Sequence, residues 1–233
     1  FFQGENPYLA DSLRVHRELG LPTIALDAAE MARRFPMIDF AGVSAGMFEP
    51  GFGALMARRA VQTLVRNFVD AGGSEQRICI APPAGRRDSL SELRSSTRAA
   101  VEADLFVFAC GPWLPKLFPD LVEVDPDRQD RRFTDKALAD VIAFRDRRFP
   151  GLRGAPLAGA EVCQYENSSN GDLLIDRHPQ WKNVLLVGGG SGHGFKHGPE
   201  VGRLAAELAL EGKLPDRRFG LATKGTVRKR EVI

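Results

Sequence analysis

The sequence predicts an α/β fold, a layered sheet covered by helices. Three observations carry that prediction. Helical and strand-like segments alternate along the chain. Residues 105–109 (Leu-Phe-Val-Phe-Ala) form a continuous apolar run of the kind a sheet buries on both faces. A second apolar run, residues 184–187, feeds a glycine-rich loop that opens onto a helical pattern at residues 200–211.

Taken in order, residues 8–20 and 27–35 carry apolar side chains at helical spacing, with Pro22 and Pro36 as breaks. Residues 37–47 are turn-rich. The clearest helix spans 54–71, with Leu55, Val61, Leu64, Val65 and Phe68 on one face and Gly72-Gly73 as its stop. Residues 77–81 read as a strand and 82–98 as a polar loop. After the strand at 105–109, residues 135–147 predict a helix, and 160–165 and 173–176 predict strands. No internal repeat or low-complexity tract is seen.

A length of 233 residues suits one large or two small domains, and 43% hydrophobic residues can bury a core. The net charge of +2 argues against a general polyanion binder, so no nucleic-acid partner is expected. No apolar run approaches the roughly 18 residues of a membrane span. Cys79, Cys110 and Cys163 are widely spaced and odd in number, which suggests a reducing cytoplasm rather than a disulfide framework. The basic end, residues 224–230, reads as a solvated tail because no aromatic residue interleaves with it.

Most informative is the stretch Gly188-Gly189-Gly190-Ser191-Gly192-His193-Gly194-Phe195-Lys196-His197-Gly198. A strand that ends in glycines at a helix start gathers backbone N–H groups and a positive dipole end at one point. The spacing fails the dinucleotide fingerprint G-x-G-x-x-G in every register. A phosphate cradle, a structural turn and a surface for a flat ring remain as its possible uses.

Cys163-Gln164-Tyr165-Glu166-Asn167, then residues 172–179, Asn183-Val184 and Ser191-Gly192-His193-Gly194-Phe195-Lys196 together resemble the C-terminal region of the flavin amine oxidases. Within them the resemblance is to the monomeric sarcosine oxidase and N-methyl-amino-acid oxidase branch of the D-amino-acid-oxidase superfamily. Residues 48–53 and 103–114 agree, so it extends over roughly residues 22–213. It implies an FAD-binding sheet of the Rossmann-like, glutathione-reductase type with an interleaved α+β substrate domain. Residues 51–121 and 180–213 would belong to the first, 22–50 and 122–179 to the second, and 214–233 would be a tail. The family's opening strand with its G-x-G-x-x-G is not found, and a block of substrate-domain strands is missing near Leu121-Val122-Glu123, so both parts are expected to be incomplete. Without that opening strand, residues 105–109 and 184–187 would lack a neighbour, and FAD binding and turnover are expected to be weak.

By the same resemblance, Gly190, Ser191, Gly192, His193, Gly194, Phe195 and Lys196 line the flavin ring, Gly111 and Trp113 border it, and Cys163 can carry it as an 8α-thioether. A thiolate at the ring edge can form that bond. Lys196 is implied as the catalytic-site cation that holds a substrate carboxylate, a role suited to a compact point charge. The implied reaction oxidises the C–N bond of a small amine or N-methyl amino acid by hydride transfer, with oxygen or another acceptor reoxidising the cofactor. A non-catalytic fragment of such an enzyme is the alternative.

Two rival chemistries were weighed. His193 and His197 have i, i+4 spacing, but the surrounding glycines disfavour the helix a zinc pair needs, so no metal is expected. Gly42-Val43-Ser44-Ala45-Gly46 satisfies G-x-S-x-G, the serine-hydrolase elbow, which requires a strand before Ser44 and a helix after it. His178, before Pro179, is expected to be structural.

Overall fold

The computed structural model describes residues 4, 6–85, 88–97, 99–121 and 132–225. It divides into two compact units, residues 1–54 with 132–162 and residues 55–131 with 163–233. The gap near Val122-Glu123 and the tail beyond Gly225 fall outside the described residues.

The first unit opens with α1 (Pro7–Glu18). Asn6 caps it by accepting the N–H of Tyr8 and Leu9, and Pro7 sits where a missing N–H costs nothing. Strand β1 (Ile24–Asp27) pairs antiparallel with β2 (Ala45–Phe48), Ile24 opposite Phe48 and Asp27 opposite Ala45. Asp27 then caps α2 (Ala28–Arg34) through the Glu30 N–H at 2.8 Å. Leu26, Met31, Phe40 and Val43 form the core of this unit. Thr134 caps α5 (Asp135–Arg148), and the buried Arg148 at its end donates to the carbonyls of Asp39 and Ala41 at 2.9 and 2.8 Å. Nothing in the sequence marks that cation as internal, because its partners are backbone oxygens.

In the second unit, α3 (Ala57–Asp70) precedes a small hairpin of β3 (Glu92–Arg94) and β4 (Ala100–Glu102). Next come β5 (Phe106–Phe108) and the short helix α4 (Leu114–Leu117), and later β6 (Leu174–Arg177), β7 (Val184–Gly188) and α6 (Gly198–Glu211). The main sheet has the order β5-β7-β6, with β7 parallel to β5 and antiparallel to β6. On one face Ile175 and Leu185 meet Leu208 of α6. On the other, Phe106, Phe108, Val184 and Leu186 pack with Leu90, Leu114, Phe118 and Trp181. Alternate residues of β7 thus enter two cores, which is why that strand is apolar throughout.

Several sequence expectations need correction. Val107 is half exposed, so β5 buries one face only. Residues 184–187 do not lack a neighbour, since β7 is the central strand; it is β5 that lies at the edge. Residues 160–165 form no strand, and 77–81 contribute only an isolated bridge from Ile80 to Ser95. The predicted loop at 82–98 contains β3. Lys224 is not a solvated residue: its ammonium donates to Asn170 Oδ1 and to the Arg218 carbonyl, while the Asp176 carboxylate pins the Leu221 N–H at 2.7 Å.

Candidate cofactor site

Strands β5 and β7 are parallel, so Cys110-Gly111 and the loop beginning at Gly189 leave the same end of the sheet. The β7 loop is shaped from outside by residues 165–167. Glu166 accepts the Gly189 N–H at 2.8 Å and the Gly190 N–H as well, and its own carbonyl accepts the Ser191 N–H at 3.0 Å. Ser191, held at φ 51°, donates its hydroxyl to Asn167 Oδ1 at 2.6 Å. Tyr165 lies beneath Gly192, where a Cβ would come within 2.5 Å of the phenol ring. A Cβ on Gly188 would likewise stand 2.5 Å from the Glu166 carboxylate, and Gly189 has φ +71° with Asp172 backbone beside it. Three of the glycines therefore answer to the protein's own packing.

Gly194 is different. Its φ is not in the left-handed region, and a Cβ there would meet no atom within 4 Å. Neither crowding nor backbone strain calls for glycine at 194, and its backbone is open to approach from outside. A flat ring lying against residues 190–196 fits that surface, and on this test the residues present suit the flavin that the resemblance implies. Gly111 is open as well, although its φ of +56° already favours glycine. Trp113, Cys163, Phe195 and Lys196 are all exposed.

The electrostatics centre on Glu166. Burial pushes its carboxyl above the ordinary range, and the N–H groups of Gly189 and Gly190 pull it partly back. Burial, and then the Glu166 charge, raise the Cys110 thiol. A cavity of about 430 Å³ lies beside this carboxylate, walled by Leu114, Phe118, Leu174, Leu186 and Leu221, with Lys224 at its margin. His178 stacks on Trp181 with ring centroids 4.5 Å apart, and its Nδ1 accepts the Gln180 N–H at 3.1 Å. Burial lowers its pKa, so it is a neutral packing residue.

The structure brings residues 190–196 together with 165–167, a contact that the sequence motifs do not indicate. In the sequence Glu166 is marked only as part of a motif; its signal is a carboxylate whose chain returns to a strand end rich in glycine N–H groups. Ser44 fails the elbow geometry. Its hydroxyl donates to the Gly4 carbonyl at 3.3 Å, and it is followed by β2 instead of a helix.

Comparison with known proteins gives a consistent result. The sequence matches the model of a family described as FAD dependent oxidoreductase (DAO) over residues 2–130 and 120–208. Peroxisomal sarcosine oxidase of Mus musculus is 24% identical, the alignment covering 91% of this chain and 70% of that protein. N-methyl-L-tryptophan oxidase of Salmonella arizonae is 25% identical, with 89% and 70% covered. Among solved structures, L-proline dehydrogenase from P. horikoshii superposes with a TM-score of 0.77 at 14% identity, over 93% of this chain and 73% of that one. Glycine oxidase from Geobacillus kaustophilus gives 0.73 at 18%, over 93% and 72%. No described helix is long and apolar enough to cross a membrane.

Proposed function

The chain belongs to the FAD-dependent oxidoreductase family whose model it matches, and we propose that it oxidises the C–N bond of a small amine or N-methyl amino acid. Supporting the substrate class are the sarcosine and N-methyl-L-tryptophan oxidases among its relatives. The observation that carries the reading is the glycine at 194, bare toward the outside at the end of a loop braced by Tyr165, Glu166 and Asn167.

Residues 190–196, Gly111 and Trp113 would hold the isoalloxazine, and Cys163, exposed and two residues from Tyr165, is the proposed point of covalent attachment. Bound there, FAD supplies the two-electron acceptor, and oxygen or another acceptor removes the electrons. The protein's part is placement. Lys196, an exposed ammonium at the loop's far end, would orient the substrate by its carboxylate. A second reading, a non-catalytic fragment of such an enzyme, draws support from α3, whose apolar face is uncovered (Leu64 67% exposed).

The test is a visible spectrum after incubation with FAD and desalting, followed by turnover of sarcosine and larger N-methyl amino acids. Faint bands near ~370 and ~450 nm with slow peroxide release are expected. Bands without turnover would favour the second reading, and no retained flavin would reject the proposal. Acid precipitation then decides on Cys163: colour wholly in the supernatant rules out the covalent link.

A further inference from the structure

We infer that Glu166 is a positioning residue for the cofactor loop, its carboxylate acting as an internal anion that fixes the first turn after β7 in the shape that receives the flavin; this rests on the flavin reading above. Glycine-rich turns at strand ends present convergent N–H groups that ordinarily wait for a ligand's anion. Here two of those groups, from Gly189 and Gly190, are already taken by the Glu166 side chain. The same residue's carbonyl takes the next one, from Ser191. Consecutive N–H groups of the turn thus point at one residue from a different segment, 23 positions earlier in the chain for Gly189. The fit is close, since the Glu166 carboxylate occupies the space a side chain at 188 would need.

Two consequences follow. The turn does not offer its first N–H groups to a phosphate, which removes the phosphate-cradle use that the sequence left open. The surface that remains for a ligand begins after Ser191, at the unencumbered Gly194. Glu166 lines the cavity, as Asp120 and Lys224 do, and its charge acts on the Cys110 thiol. A carboxylate accepts backbone N–H groups more strongly than the acid does, so loss of the Glu166 charge loosens the turn.

Two arms test this on the full chain. Hydrogen exchange on the flavin-free protein is expected to show Gly189 and Gly190 amides exchanging at least about tenfold faster in Glu166→Ala, with Glu166→Gln, which keeps one acceptor oxygen but no charge, lying between it and wild type. Exchange in the β7 amides should be unchanged, which excludes general unfolding. Unchanged exchange at 189 and 190 in Glu166→Ala would overturn the inference. In the second arm, quenching of FAD fluorescence measures affinity against pH. Wild type should bind more weakly toward acid, Glu166→Gln should be flat, and Glu166→Ala should bind about tenfold more weakly. Equal FAD affinity in all three proteins would overturn the positioning role even with a loosened turn. A wild type that quenches no FAD would refute the flavin reading, and the exchange arm would then decide on the internal anion by itself.

Discussion

At the scale of single residues, two glycines in one loop make different predictions. A Cβ at Gly192 would meet the outer end of the half-exposed Tyr165 ring, so Gly192→Ala should displace that ring and cost no more than about 1 kcal/mol, with or without flavin. Gly194 has open space, so Gly194→Val should keep flavin-free stability within about 1 kcal/mol while lowering FAD retention. Thermal melts with and without FAD separate the two, and a Gly194 variant that holds FAD as well as wild type would count against the ring surface. Asn183 gives a prediction that is independent of any cofactor. Its amide donates to the carbonyls of Leu90 and Asp104 at 2.8 and 3.2 Å, and its oxygen accepts the Leu90 N–H at 2.8 Å. Asn183→Ala strands the part-buried N–H and carbonyl of Leu90 and should cost about 1–3 kcal/mol in urea unfolding.

The elements divide into those whose burial matches their pattern and one whose burial does not. β7 and α6 behave as their apolar periodicity demands, since Leu185 and Leu208 are almost wholly enclosed. Helix α3 has a strong apolar face, yet it buries no residue. Leu64→Lys should therefore change stability by less than about 0.5 kcal/mol, the range of ordinary surface substitutions. A loss above about 2 kcal/mol in denaturant unfolding would mean that another chain covers this face in solution. Periodicity at residues 54–71 reported the face correctly; it could not report whether anything packs on it, because amphipathicity is a property of one helix and burial a property of two.

For the whole molecule, stability should depend on pH through two partly buried groups with opposite signs. Glu166 lies above its ordinary value of 4.5 because burial outweighs the two N–H bonds that favour its ionised form, so its net contribution is fully present below that pH and is lost as pH rises through the raised value, the N–H bonds offsetting part of the loss. His178 lies below its ordinary 6.5, so its contribution is present above 6.5 and is lost as pH falls through the lowered value. Comparing wild type with Glu166→Gln isolates the first effect. The wild-type advantage in melting temperature should shrink steadily as pH is raised from about 4.5. A constant difference across the range would show that Glu166 titrates normally in the folded chain.

The sequence by itself determined the α/β class, the positions of α1, α2, α5, α6 and β7, and the family, because these depend on local periodicity, capping residues and ordered motifs. Asn6, Asp27 and Thr134 start helices through neighbours two or three residues away, and that information is local. Only the tertiary structure decided that β7 is central, that Arg148 is internal, and that Glu166 and Tyr165 shape the glycine loop. The Glu166 and Arg148 contacts join residues 23 and 109 positions apart. Spacing within a motif shows where glycines stand, and only the neighbours brought against them by the fold show which of them the protein's own packing crowds. Gly192 and Gly194, two positions apart in one motif, differ for that reason alone.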